Sequence, residues 1–421
     1  MRISGTSMPL IQDCLFEYNY AVNGAAMAVF DNSSPNTVRS VLDYNVAIIE
    51  GGAILAGDWS DASFDDCYIR HNTVFTGTGG GVAIADFSTP KFNNSFIQNN
   101  TSPHGAGVYT ISGSRKKYAW GLFNTHIVSN NGTIDGGGVS VHGLSRIQIE
   151  NCTIEYNVAA GGNGGGINIV DQSLPLIKYT NIRNNFAERS GGGIAIQGQS
   201  DPNVVNSVIS RNIAVRGGGI FVATQALGNV SYSTVSENAA AFGSGVYVGS
   251  FASFTGINIT SSKNIGACGG GIALESSTNS TFTDCTLTSN IAVSGGGLYI
   301  FPVYNSLPIG DGPSLPQSFS AMQYPDDLAS FAFSKQDLDF FTKWDKFLRY
   351  HRDIDREVAQ QFGEFVIPLN PIEALLNKTF FNLHVSTNVA FLGGGISIFD
   401  SLGSQPVSFD HQSIIELNRA I

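Results

Sequence analysis

Gly191-Gly192-Gly193-Ile194-Ala195-Ile196 returns 26 residues on as Gly217-Gly218-Gly219-Ile220-Phe221-Val222. The same step then gives Gly243-Ser244-Gly245-Val246, Gly269-Gly270-Gly271-Ile272 and Gly295-Gly296-Gly297-Leu298. Earlier copies at Gly51-Gly52-Ala53-Ile54, 79–82, Gly105-Ala106-Gly107-Val108, 136–139 and 164–167 keep steps of about 26 to 31 residues. Gly24-Ala25-Ala26-Met27 is a degenerate first copy and Gly393-Gly394-Gly395-Ile396 a twelfth. A repeat of this length marks a solenoid, whose units bury their apolar faces only against their neighbours.

Behind each triplet the apolar residues alternate: Ile194 and Ile196, Ile220 and Val222, Val246 and Val248, Ile272 and Leu274. A period of two means strand, not helix. Upstream, a second alternating run ends on Asn, as in Val208 to Asn212 or Thr286 to Asn290. That Asn recurs as Asn19, Asn45, Asn72, Asn157, Asn185, Asn212, Asn238, Asn264, Asn290 and Asn388. The expectation is an all-β, single-stranded right-handed parallel β-helix of about twelve coils, each of about 26 residues. Leucine-rich repeats are excluded because their Leu-x-x-Leu-x-Leu frame is absent, and helical repeats by the glycine load. In such a stack each residue lies about 4.8 Å above its equivalent in the coil below. A column of Asn then bonds amide to amide, and Asn tolerates the left-handed backbone of a turn.

The 421 residues include 49 glycines, only 13% charged side chains and a net charge of −11. No basic stripe exists to neutralise phosphates, so nucleic acid is not an expected partner. No apolar run of about 18 residues offers a transmembrane segment. Asn418-Arg-Ala-Ile421 stops where a glycine triplet is due, and Met8 to Asn19 reads like the middle of a coil. The chain therefore reads as a fragment of a longer protein, truncated within its last coil.

Cys14, Cys67, Cys152 and Cys285 each lie five residues before a column Asn, where other coils place Ser207, Ser233 or Thr125. Cys14 and Cys67 stand two coils apart, about 9 to 10 Å, beyond the ~7 Å that a disulfide spans. With Cys268, five free thiols are expected. Between Gly297 and Gly395 lie 98 residues instead of 26. The chain thus divides into coils over 1–301, an insertion over 302–372 and resumed coils over 373–421. Within the insertion Phe340, Phe341, Trp344, Phe347, Leu348, Ile354, Val358 and Phe362 keep helical spacing. A long amphipathic helix over about 335–362 is predicted, docked on the solenoid, on a partner chain, or as a lid over a ligand groove.

Gly51-Gly52-Ala53-Ile54, with Phe16-Glu17-Tyr18-Asn19 and Phe96-Ile97-Gln98-Asn99, resembles the alternating tetrapeptides of chlamydial-type polymorphic outer membrane proteins. The pattern is also similar to the wider set of right-handed parallel β-helix surface proteins of microbes. It covers nearly all the chain outside the insertion, elsewhere as Gly-Gly-Gly-Ile and Ile-x-x-Asn, as in Ile154 to Asn157. The resemblance implies a secreted or surface-displayed adhesive passenger, located outside the cell, with a carbohydrate or a cell-surface protein as ligand.

The rival class is a carbohydrate-active enzyme of the same fold, a polysaccharide lyase or hydrolase. It needs carboxylates, Lys or Arg converging from outward rows of neighbouring coils. Two residues before the column Asn the row runs Glu17, Asp43, Arg70, Gln98 and later Glu155, Arg183. One residue before it stand Tyr18, Tyr44, His71 and later Arg211, Glu237, Lys263. The later charges alternate in sign at about 5 Å, the pattern of a structural ion-pair ladder. Glu17, Asp43 and His71, beside Arg70, are the sharpest catalytic candidates, because carboxylates stacked about 5 Å apart raise one pKa. For binding, the outward glycine-strand residues Phe221, Tyr247 and Tyr299 predict one exposed aromatic column able to stack a sugar or anchor a protein. No metal or other cofactor is expected. The run Gly161 to Gly166 lacks the Asp of a calcium roll and the Lys-Ser/Thr of a phosphate loop, and no His/Cys set has zinc spacing. These readings together point to a structural or adhesive, non-enzymatic surface module.

Overall fold

Alternation within each short run sends every second side chain inward, and like residues then stack on like. The computed structural model describes residues 1–111, 120–249, 251–275, 278–301, 378–392, 394–398, 407–409, 413–416 and 418–420. Three parallel sheets of 13 strands result. The glycine sheet opens with Arg2–Ile3, Met27–Val29 and Ile54–Ala56, and the middle sheet with Leu10–Gln12, Asn36–Val38 and Ser63–Asp65. The asparagine sheet opens with Leu15–Glu17, Val41–Asp43 and Tyr68–Arg70. Shorter ladders of seven and five strands lie at the remaining corner, between the asparagine and glycine sheets. Parallel neighbours joined by a crossover wind right-handed, and the fold is a right-handed parallel β-helix. It has one more rung than the glycine triplets count. Arg2–Ile3 lacks a triplet, yet pairs with Ala28 and Val29. The predicted insertion over 302–372 and its helix lie outside the described residues. Strand Lys378–Phe381 pairs with Ser280 to Thr283 as the next rung. Among the described residues no helix is long and apolar enough to cross a membrane.

The interior is a set of one-residue columns. Ile54, Val82, Val108, Val139, Ile167 and Ile194 line the glycine sheet, and Leu42, Ile69, Ile97, Ile127 and Ile154 the asparagine sheet, all fully buried. The middle sheet adds stacked rings, Phe64 on Phe92 at 4.7 Å and Phe282 on Phe380 at 5.3 Å. At the corner into the glycine sheet, Gly217 has φ 60° and a Cβ there would meet Ile220 O at 2.4 Å, so only glycine fits.

The asparagine column bonds amide to amide as expected and departs from the expectation in one respect. The left-handed residue is the one before each column Asn. Tyr18, Tyr44, His71, Asn99, Ser129, Tyr156, Asn184 and Arg211 have φ between 53° and 58°. The column Asn instead serves as a clamp. Asn185 Oδ1 accepts from both the backbone N–H and the Nδ2 of Asn157 at 3.0 Å, while its Nδ2 donates to Ile154 O at 2.9 Å and to Asn212 Oδ1 at 3.0 Å. The pattern also takes in Asn100, Asn130 and Asn418. Phe96 to Asn99 is therefore one residue out of register as a repeat tetrapeptide: Ile97, not Phe96, pairs in the inward column with Ile69, and Asn100 is the column residue. The small slot five residues earlier uses hydroxyls the same way. Cys67 N–H donates to Ser95 Oγ at 3.1 Å, and Cys67 Sγ donates to Asp65 O at 3.3 Å in place of a hydroxyl. All five cysteines are free, as the coil spacing requires.

Candidate functional site

Outward residues of the glycine sheet form the floor of a gutter that runs along the solenoid axis. In unbroken register the floor is Ala83, Tyr109, Ser140, Asn168, Ala195, Phe221, Tyr247, Ala273 and Tyr299. One wall is the residue before each glycine corner: Glu50, Thr78, His104 and Asp135 pair in turn, and Asn163, Ser190, Arg216 and Phe242 continue it. The other wall is the residue just past each strand, including His142 and Gln197. The character changes along the axis. Most of its polar and ionisable residues lie up to Gln197, and its aromatic floor residues cluster from Phe221 onward.

In the polar coils four side chains form a directed chain of hydrogen bonds. Asn168 Nδ2 reaches Ser140 Oγ at 3.4 Å, Ser140 Oγ lies 2.9 Å from His142 Nε2, and His142 Nδ1 lies 3.1 Å from Asp171 Oδ2. Tyr109 packs its ring against His142 with centroids 4.8 Å apart. Burial holds the His142 pKa below its ordinary value, against the opposing pull of Asp171. Burial, and then the charges of Asp171 and Glu50, push the Tyr109 phenol up to about 12. Glu50 is raised as well, by burial first and by Asp86 second. On the facing wall His104 Nδ1 stands 3.8 Å from Asp135 Oδ2. A Ser–His–Asp line is the geometry of an activated nucleophile. Ser140, however, is 0% exposed.

The expected binding column is not exposed. Phe221, Tyr247 and Tyr299 are only 4%, 4% and 6% accessible and form a satellite core with Phe242 and Phe301. The walls lean over the floor: Tyr247 Oη donates to Glu275 from one side and meets Arg216 from the other, while Phe301 stacks on Tyr299 with centroids 5.3 Å apart. The three catalytic candidates meet only in part. Asp43 accepts from Arg70 Nε and His71 Nδ1, both at 2.8 Å, and His71 Nε2 accepts from Asn99 Nδ2 at 3.2 Å. Glu17 pairs with Asp43 in backbone register but stays exposed. Asp43 thus serves as the shared acceptor of Arg70 and His71, a structural clamp. The ion-pair ladder reading holds at Arg183 with Glu155 (2.8 Å) and Arg211 with Glu237 (2.7 Å).

Exposed aromatics stack on one another in the first coils. Tyr18, Tyr44 and His71 stack at 5.3 and 4.6 Å, Tyr68, Phe96 and His126 at 5.1 and 4.7 Å, and Trp59 on Phe87 at 4.7 Å. Within each stack the ring faces are spent on one another, so the inner rings offer solvent their edges. Among the described residues no group of three or more His, Cys, Asp or Glu side chains has the arrangement to hold a metal ion.

A family model described as a right handed beta helix region matches residues 81–264. No curated protein and no solved structure gives a match. Strand pattern and family match together define the class, a right-handed parallel β-helix repeat protein. The aromatic positions Phe221, Tyr247 and Tyr299 are the outward glycine-strand residues that stand out in the sequence, and they draw attention away from the polar gutter. The signal lies earlier, in the middle residues of Val108 to Thr110, Val139 to Val141 and Ile167 to Ile169, and in Glu50, His104 and Asp135 just before their glycines.

Proposed function

We propose that this chain is a structural and adhesive module of an extracellular or cell-surface protein, one that holds a carbohydrate or a cell-surface protein without turning it over. The carrying observation is the closure of the catalytic-looking Ser140–His142–Asp171 line found among the described residues: Ser140 has no accessible surface. A nucleophile must come within about 3–3.5 Å of the atom it attacks, and here His142 lies against the hydroxyl and Tyr109 packs on His142. Elsewhere charges on the outward rows pair one coil away, as Arg70 does with Asp43 and Arg183 with Glu155, which suits a rigid scaffold. Surface placement rests on the tetrapeptide resemblance.

The runner-up is a carbohydrate-active enzyme, and the Ser140–His142–Asp171 line beside His104 and Asp135 favours it. Incubating the purified chain with neutral and acidic polysaccharides separates the two. The adhesive reading expects retention of polysaccharide or of cells, with no new reducing ends or unsaturated products over many hours. Steady accumulation of either product, abolished by His142→Ala, overturns it in favour of the enzyme.

A further inference from the structure

The polar coils of the gutter bury an oxygen for which the fold supplies no donor. Asp171 can only accept, so His142 Nδ1–H donates to it; His142 Nε2 then accepts from the Ser140 hydroxyl, and Ser140 Oγ accepts from Asn168 Nδ2. This order fixes the Asn168 amide with Nδ2 committed and Oδ1 open. Asn168 is 2% exposed, and Oδ1 has no partner. A buried acceptor left unpaired weakens the fold, yet the same floor column holds Ala83 and Ala195, which carry no such cost. Beside Asn168 the two walls meet, Asn163 Nδ2 on Gln197 Oε1 at 3.4 Å, the long limit of hydrogen bonding. In the wall Thr78, between Glu50 and His104, buries a second unpartnered oxygen. The mouth is accessible: the side chains of His104, Asp135 and Asp171 are 34%, 26% and 65% exposed.

We propose that the gutter from Glu50 to Gln197 binds an uncharged, hydroxyl-rich chain, a neutral saccharide, one of whose hydroxyls replaces the Asn163–Gln197 contact and donates to Asn168 Oδ1. The proposal rests on the adhesive reading and supplies its ligand. The lining is rich in acceptors (Asn168 Oδ1, Asp135, Asp171, Glu50), so it suits a ligand that donates. Tyr109, whose phenol stays protonated, offers a donor for one ring or linkage oxygen. The same carboxylates repel a uronate or sulfated chain. A linear ligand fits because the segment runs along the axis for about 19 Å, four coil steps from Glu50 to Asn163.

Calorimetric titration with cello-, manno- and chito-oligosaccharides, and with an oligogalacturonate, tests this. The wild-type chain is expected to bind at least one neutral series and to reject the oligogalacturonate. Asn168→Leu keeps the volume and deletes the open acceptor together with the long Nδ2 contact to Ser140, which keeps its bond to His142, so affinity falls about tenfold or more while Tm stays level or rises. Tyr109→Phe lowers affinity with Tm unchanged. Unaltered affinity in both variants, or a preference for the oligogalacturonate, overturns the site. If the chain adheres to cells but binds no neutral saccharide, the site fails and the adhesive reading survives. If it binds a neutral saccharide at this site and cleaves it, the site survives and the non-enzymatic reading fails.

Discussion

Replacing Asn185 by alanine removes four side-chain hydrogen bonds from the middle of the asparagine column. Two buried groups then lose their partner at that site, the Asn157 backbone N–H and one Asn157 Nδ2–H, while the Ile154 carbonyl loses only its Nδ2 donor. Asn212 Oδ1 keeps one donor, the Asn185 backbone N–H at 3.0 Å. Each orphaned buried group costs about 1–3 kcal/mol, so the loss is about 2 kcal/mol at least and up to about 6 if no water enters. Asn184→Ala, one residue away, removes only a left-handed turn preference worth about 1–2 kcal/mol. Equilibrium urea denaturation of the wild type and both variants, followed by far-ultraviolet circular dichroism, measures the difference. An Asn185→Ala loss no greater than that of Asn184→Ala would refute the clamp.

Tyr247→Ala empties part of a buried aromatic cluster and should cost about 3–5 kcal/mol by the same denaturation assay; an unchanged midpoint would show the column is surface after all. The burial that depresses His142 gives a signed pH effect, because the unfolded chain binds that proton better. Its stabilising contribution is complete above about pH 6.5 and is lost as pH falls below it. His142→Gln should therefore flatten the fall in stability on acidification, and an unchanged slope counts against the buried neutral imidazole. Burial pushes the Cys67, Cys152 and Cys285 thiols up to about 11, 12 and 11. A thiol reagent at neutral pH should leave these three unreacted in the native chain and find all five cysteines after denaturation; fewer than five would reveal a disulfide.

The fold was legible because a solenoid writes its period directly into its residues. Glycine marks each corner, a two-residue alternation marks each strand, and coil spacing alone kept the cysteines apart. The backbone detail was less legible. A column Asn looks like a turn residue, and only the hydrogen bonds of Asn185 show it clamping a turn whose left-handed residue is Asn184. Asn99 and Asn100 stand side by side, and nothing in the letters says that the second carries the column. Exposure was misjudged at Phe221, Tyr247 and Tyr299 because outward from a sheet was equated with solvent. The gutter walls, Arg216, Glu275 and Phe301 among them, close over that floor. The Asn168–Ser140–His142–Asp171 chain was invisible for a related reason: its members come from two neighbouring coils, and pairing them needs the register that places Ser140 beside Asn168.

A crystal structure of the chain soaked with a neutral oligosaccharide that it binds in solution tests the account most directly. The account predicts an intact saccharide lying along the gutter over Tyr109, between the His104–Asp135 wall and the His142–Asp171 wall, with one hydroxyl within about 3 Å of Asn168 Oδ1. A saccharide seated on the aromatic edges of the asparagine sheet, or a cleaved one in the gutter, would contradict it.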